Sequence, residues 1–465
     1  MPRITRRTAL TAAASAVTAT ALTPATTAAA TDATTARRPG TPKLNPVLRC
    51  DLLTRVTPRH NWLVTAVAIR YAAPIDPRGD VIPPSSFQVT ATVGGKTAAR
   101  TVTRVYPNTA AEVDDRARPG RPGDHLIIEL DPGDTNARAS GATDPLPLDR
   151  AYAVRQVADV TAHGNGNGNG PVLAARPFAI RNDGVRTPVV EGFTSGSFTD
   201  STGFELDFRL HQPTGYLRRP GAGTRYPLVV TLHGGGEVAD NNMTQLTANR
   251  IAVAFAKPER QRRNPAFVLA PQIPLPRPMD GPDGTDWTDA KVRGALVALI
   301  DATAAAYPVD ADRLYLVGLS SGARGILDLL PKQPRRYAAA LATAGWGDPS
   351  VMAGIAHIPL WADHSVDDPT VPYKEGRFGK PGTWTLMNAL EDSGAKVTRG
   401  EWGNDLPKAD FEARSRALLS QARRTGSHAL FTSYPAGTTP VNPHGAWAQT
   451  YENDVVIDWL FDQSR

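Results

Sequence analysis

Apolar and polar positions alternate in two different ways along this chain, and the change falls near residue 185. Between about 44 and 185 the apolar residues come in short strand-like runs separated by Pro, Gly and Asp. Examples are 62-WLVTAVAIRY-71, 87-FQVTATV-93, 125-HLIIEL-130 and 151-AYAVRQVADV-160. Short strands with regular turn punctuation predict a β-sandwich over residues 44–185. Beyond about 190 the runs become continuous and alternate with helical spacing. FELDFRLHQP (204–213), YPLVVTLHGGG (226–236), FVLAPQ (267–272), RLYLVGL (313–319) and AAALATAG (338–345) read as strands. Residues 288–307 place Val292, Ala295, Leu296, Leu299 and Ile300 on one helical face, and Pro308 stops the helix. Further helices are expected after Ser320 and near 384–395, 410–424 and 452–462. Apolar strands between helices predict an α/β fold for residues 186–465, a mostly parallel sheet covered on both faces.

The first 43 residues belong to neither pattern. MPRITRRTALTAAASAVTATALTPATTAAAT has an Arg-rich start, a mildly apolar Ala/Thr stretch and an Ala28-x-Ala30 cleavage pattern. With Arg6 and Arg7 adjacent, residues 1–30 resemble a twin-arginine export signal, which implies a secreted, extracellular protein. Residues 31–43 read as a flexible linker and 164-GNGNGNG-170 as a low-complexity hairpin loop, with no GK[ST] to make it a phosphate loop. The leader holds three arginines and no acid, so without it the formal charge falls by three, from +6 to +3. No dense Lys/Arg cluster remains, which argues against nucleic acid as a partner. The single cysteine, Cys50, excludes an intramolecular disulfide. No apolar run reaches the roughly 20 residues that cross a bilayer, so no stable membrane insertion is expected.

Chemistry concentrates after the strand RLYLVGL. Gly318-Leu319-Ser320-Ser321-Gly322 fits G-x-S-x-G, and it sits between an apolar strand and a helix, where a nucleophile elbow belongs. A serine hydroxyl needs a base, and the base needs an orienting carboxylate, in the chain order Ser, acid, His. His357, His364, His428 and His444 follow Ser320. His444 lies in a Pro/Gly loop just before the terminal helix and is the expected base; His364 ends the strand IPLWADH and reads as structural. Asp363, Asp367 and Asp368 follow in 359-PLWADHSVDDPTVPY-373, and spacing leaves Asp367 and Asp368 open. For the oxyanion, the backbone N–H of Ser321 and the glycines of 231-TLHGGGE-237, Gly235 and Gly236, are the candidate donors. Trp346 and Trp287 are candidate pocket residues. Neither an HExxH pattern nor a Rossmann glycine pattern occurs, so no metal and no cofactor is implied.

These residues are familiar as a set. From about 200 to 462 the chain resembles the α/β-hydrolase group of secreted esterases and predicted peptidases related to polyhydroxybutyrate depolymerases and feruloyl esterases. The resemblance rests on YPLVVTLHGGGE, FVLAPQ, VDADRLYLVGLSSGARG, GDPS (347–350), IPLWADHSVDDPTVP and HGAWAQTYENDVVIDWLF, in that order. It implies that the aspartate of H-x-x-x-D-P-x-V-P is the catalytic acid, here Asp368, and that the loop histidine is His444. Some relatives carry an immunoglobulin-like domain ahead of the hydrolase, which suits residues 44–185. The chain also departs from the group: Ile273 and Ala344 stand where relatives often have cysteine, Ala323 replaces a glycine after the elbow, and Trp346 interrupts the glycines before GDP. Residues 397–431 are longer than expected, and the helix near 410–424 reads either as a lid or as surface decoration.

Together these features predict an exported two-domain serine hydrolase acting on small or polymeric carboxylic esters. A peptidase with the same machinery is the first alternative, and a noncatalytic polysaccharide-binding protein on a hydrolase scaffold the second.

Overall fold

The structure, a computed structural model, describes residues 4–6, 45–57, 61–77, 81–113, 121–139, 150–162, 170–213, 215–216, 223–275 and 286–465. The expected export leader lies outside these residues except for Ile4–Arg6, which pair antiparallel with Phe193–Thr199.

The N-terminal part is a two-sheet sandwich. One sheet is ordered Gly184–Arg186, Val47–Thr57, Asn61–Ile75, Gly123–Leu130, Val102–Asn108; the other Ile180–Arg181, Ala151–Gln156, Phe87–Val93, Lys96–Arg100. All pairs are antiparallel except Gly184–Arg186, which runs parallel to Val47–Thr57. Period-two alternation sends Cys50, Leu52, Val67, Ile69 and Ile128 from the first sheet against Val89, Ala91, Tyr152 and Val154 of the second, closing one apolar core. The Gly/Asn repeat, 164–170, lies outside the described residues except for Gly170. The strands beside it, Val160–Ala162 and Gly170–Leu173, pair antiparallel.

The catalytic part is built on a mixed sheet. Its strands are β1 (Phe193–Thr199), β2 (Glu205–His211), β3 (Tyr226–Leu232), β4 (Phe267–Gln272), β5 (Val309–Leu319), β6 (Ala339–Thr343), β7 (Leu360–Ser365), β8 (Val397–Glu401) and β9 (Ala429–Tyr434). Their spatial order is β1-β2-β4-β3-β5-β6-β7-β9-β8, with β1 and β2 antiparallel and the rest parallel. Every residue of β3, β4, β6, β7 and β9 is buried, because helices cover both faces. The main covering helices are α1 (Ala290–Ala306), α2 (Ser321–Lys332), α3 (Thr383–Asp392), α4 (Lys408–Thr425) and α5 (Asp454–Phe461). Asp289 caps α1 by accepting from the Lys291 and Val292 N–H groups. Residues 397–434 form a strand–helix–strand unit that extends the sheet edge; Phe411, Leu418 and Ala422 of α4 belong to the core.

Parallel strands deliver their C-terminal ends to one side of the sheet, where ligand sites of open α/β sheets gather. Residues 233–237, Ser320, residues 344–346, 366–371 and 435–444 all follow strand ends on that side.

Candidate active site

Ser320 sits at the junction of β5 and α2 with φ 51° and ψ −122°, a backbone conformation that costs a non-glycine residue of order 1–3 kcal/mol. The two motif glycines make that turn fit. A Cβ on Gly318 would lie 2.6 Å from Gly322 O, and one on Gly322 would lie 2.0 Å from Leu232 O at the end of β3. Close approach at Gly322 therefore brings the HGGGE loop against the elbow. The Ser320 N–H is anchored to Thr343 O at 2.9 Å.

Three predicted residues meet there. His444 lies in a short turn whose cap, Asn442 Oδ1, accepts from the His444 N–H at 3.1 Å. His444 Nδ1–H donates to Asp368 Oδ2 at 2.7 Å, which leaves Nε2 as the acceptor for the Ser320 hydroxyl at 3.0 Å. All three side chains are buried. Asp368 Oδ1 accepts from the N–H groups of Thr370 and Val371 at 2.8 and 2.9 Å. Burial alone would raise this carboxyl, but hydrogen bonds from His364 and His444, with their charge, hold it well below the usual carboxylate range.

The other two aspartates are engaged elsewhere. Asp367 Oδ2 accepts from Gly437 N–H at 2.8 Å. Asp363 accepts from the Thr343 hydroxyl at 2.9 Å, and burial pushes its carboxyl up to about 7. His357 bonds to Pro334 O.

The expected oxyanion donors surround Ser320 at different distances. Ser321 opens α2, and a first-turn N–H has no acceptor within its own helix. Its hydroxyl is buried with no hydrogen-bond partner. Of the loop glycines it is Gly234 that packs on the nucleophile, since a Cβ there would sit 3.4 Å from Ser320 Cβ. Gly235 and Gly236 continue into a single turn of 3-10 helix, Gly235–Glu237. His233 pins the loop: Ile273 N–H donates to its Nε2 at 3.1 Å, so Nδ1 carries the proton and donates to Gly234 O at 2.7 Å.

The two tryptophans occupy different layers. Trp287 is 1% exposed, stacks edge-on to His233 and donates its indole N–H to His233 O at 2.8 Å, so it stands behind the loop. Trp346 is also buried; the Arg324 guanidinium lies 5.5 Å from its ring centroid, and Phe378 flanks it at 6.3 Å.

Two further residues border the site. Glu237, the last residue of HGGGE, has a buried Oε2 with no hydrogen-bond partner, and burial raises its carboxyl. His364, read from sequence as structural, is a second imidazole on Asp368. The i, i+4 spacing of His and Asp across a strand end was the signal for it.

A serine on a strained strand-to-helix turn, with histidine and aspartate from later loops of a largely parallel sheet, defines an α/β-hydrolase. The chain is an esterase-type hydrolase domain preceded by an immunoglobulin-like domain: residues 213–367 match the family described as Esterase PHB depolymerase, and residues 49–167 match Esterase Ig-like N-terminal domain. Among solved structures, a thermostable esterase is similar over 90% of this chain and 100% of its own, at 28% identity and a TM-score of 0.67. A ferulic acid esterase from the anaerobic fungus Anaeromyces mucronatus aligns with 57% of this chain and 90% of its own, at 12% identity and a TM-score of 0.36. No curated protein matches the chain closely enough to count as a relative.

Proposed function

We propose that the protein hydrolyses carboxylic esters through a Ser320–His444–Asp368 triad and an acyl-enzyme. The observation that carries this reading is the unbroken row from Ser320 Oγ through His444 to Asp368, at 3.0 and 2.7 Å. Ser320 Oγ attacks the ester carbonyl carbon while His444 Nε2 takes its proton. The imidazolium then faces the Asp368 carboxylate, which holds the Nδ1–H tautomer throughout. The oxyanion is received by the Ser321 N–H and an N–H of the Gly234–Gly236 loop. His444 returns its proton to the leaving alcohol, the acyl group stays on Ser320, and a water deprotonated by His444 releases the acid.

The esterase families matched on both domains favour ester over amide chemistry. Hydrolysis of p-nitrophenyl acetate and butyrate, measured beside matching p-nitroanilides, checks this. Wild type should turn over the esters faster, and Ser320→Ala should lose on the order of 10⁶ in kcat. A fluorophosphonate should label Ser320 by mass spectrometry. Faster anilide cleavage would replace the esterase reading with a peptidase one; a Ser320→Ala variant within ten-fold of wild type, or a label on another residue, would end the mechanism.

A further inference from the structure

Asp368 carries two imidazoles on one oxygen. His364, near the end of β7, is fully buried, and its Nε2 lies 3.1 Å from Asp368 Oδ2 and 2.9 Å from Val371 O. A carboxylate and a carbonyl can only accept, so Nε2 carries a proton and shares it between them. On the far side of the ring, Nδ1 is 2.9 Å from Thr383 Oγ1, and the same hydroxyl reaches Gly345 O at 2.9 Å. Thr383 belongs to α3 and Gly345 to the loop after β6, so the ring is clamped from two elements besides its own.

We propose that His364 is a positioning residue that acts on His444 through their shared acid. The proposal rests on reading Ser320, His444 and Asp368 as the triad. Holding the carboxylate in place is not what sets His364 apart, because two backbone N–H groups already fix Oδ1. Its hydrogen bond falls on Oδ2, the oxygen that faces His444. A carboxylate oxygen shared between two N–H donors gives each less than it would give one alone. His364 thereby draws negative charge away from the His444 imidazolium and lets His444 remain a free base at lower pH.

Other ionisable groups near the pair do not duplicate this bond. Glu237, in the HGGGE loop, is within electrostatic reach of His444, and its buried Oε2 makes no hydrogen bond. Tyr373 meets the His364 ring edge-on at 5.6 Å, with its hydroxyl on Ser433. Asp363 alternates to the opposite sheet face toward Thr343, and Asp367 is bonded to Gly437. The first turn of α3 brings no acidic residue.

The test is the pH profile of kcat/KM on p-nitrophenyl acetate for the full chain, with thermal unfolding run on each variant. His364→Leu removes the donor, so Asp368 acts wholly on His444, and the acidic limb should move up by about one pH unit, the size expected of one charge-assisted hydrogen bond. His364→Gln places an N–H near the lost Nε2 and should bring the limb back toward wild type. A uniform loss at every pH with an unmoved limb would mean a structural role and would overturn the proposal, as would an unchanged profile. Should the leucine variant fail to fold, proton NMR of wild type decides: two low-field imidazole N–H signals that move together as His444 titrates support the shared oxygen, and one signal moving alone overturns it. Ser320→Ala is assayed alongside. If it keeps wild-type activity the triad reading falls and this proposal with it; if it is inactive while His364→Leu behaves as wild type, this proposal alone fails.

Discussion

Asp367 and Asp368 are chain neighbours with the same side chain, and their surroundings separate them. Asp368 is 4% exposed and accepts four hydrogen bonds, two from imidazoles and two from backbone N–H groups. Asp367 turns the other way and accepts from Gly437 N–H. Pro369 holds Asp368 out of helical conformation, so the adjacent side chains diverge. Asp368→Asn should therefore lose about 10⁴ in kcat, because an amide in that place favours the wrong His444 tautomer. Asp367→Asn should stay within about three-fold. Steady-state hydrolysis of p-nitrophenyl butyrate by the two purified variants compares them directly, and equal losses would mean that the acid has been misassigned.

The nucleophile elbow is a contact between elements, and its glycines record which backbones must touch. The Cβ site of Gly322 lies 2.0 Å from Leu232 O and 2.8 Å from His233 O, and neither can yield without moving β3 or the HGGGE loop. Gly322→Ala should cost about 1–3 kcal/mol or more and lower the unfolding temperature; wild-type melting would mean that the loop and elbow are not in contact. Much of this architecture was legible in the sequence. Fully buried strands read as continuous apolar runs, and Phe267–Gln272 falls where its run does; Phe87–Val93 falls on an alternating run, with Phe87, Val89 and Ala91 buried. Val397–Glu401 was not legible, because an edge strand carrying Arg399, Gly400 and Glu401 has no apolar run to show. Ser320 and His444 followed from motif and chain order. The choice between Asp367 and Asp368 needed the family pattern, since it depends on which way a turn aims two neighbouring side chains. Glu237 was not legible because the group it bears on, His444, is distant in sequence, whereas His364 reads as an ordinary buried strand residue although its partner Asp368 is only four positions on.

The two domains meet beside a cleft. An approximately 800 Å³ cleft separates them, lined from the sandwich by Arg55, Val56 and Asn108 and from the catalytic domain by Val190, His211 and Lys257. What joins them is the strand end that reaches across. Thr54 Oγ1 lies 2.6 Å from Thr187 Oγ1 and bonds to Arg186 O, while Trp62 Nε1–H donates to Thr54 at 2.7 Å. Two residues on, Val56 is 7% exposed and packs into the catalytic-domain core beside Val190 and Phe193. No long tether intervenes, since Gly184–Arg186 passes from its place beside Val47–Thr57 directly into the turn of helix Pro188–Glu191. Val56 is thus an apolar contact between the domains. Val56→Asp would place a carboxylate among the apolar side chains of Val190 and Phe193, a cost avoided most readily by moving the domains apart. Small-angle scattering should then show a larger radius of gyration, and calorimetry a lower first transition. Hydrolysis of p-nitrophenyl acetate should stay within about two-fold, because the Ser320 site is assembled wholly from residues of the catalytic domain. Unchanged scattering and unfolding would mean that the domains are held by contacts other than Val56. A large loss of activity on the small ester would mean that the sandwich helps to shape the active site itself.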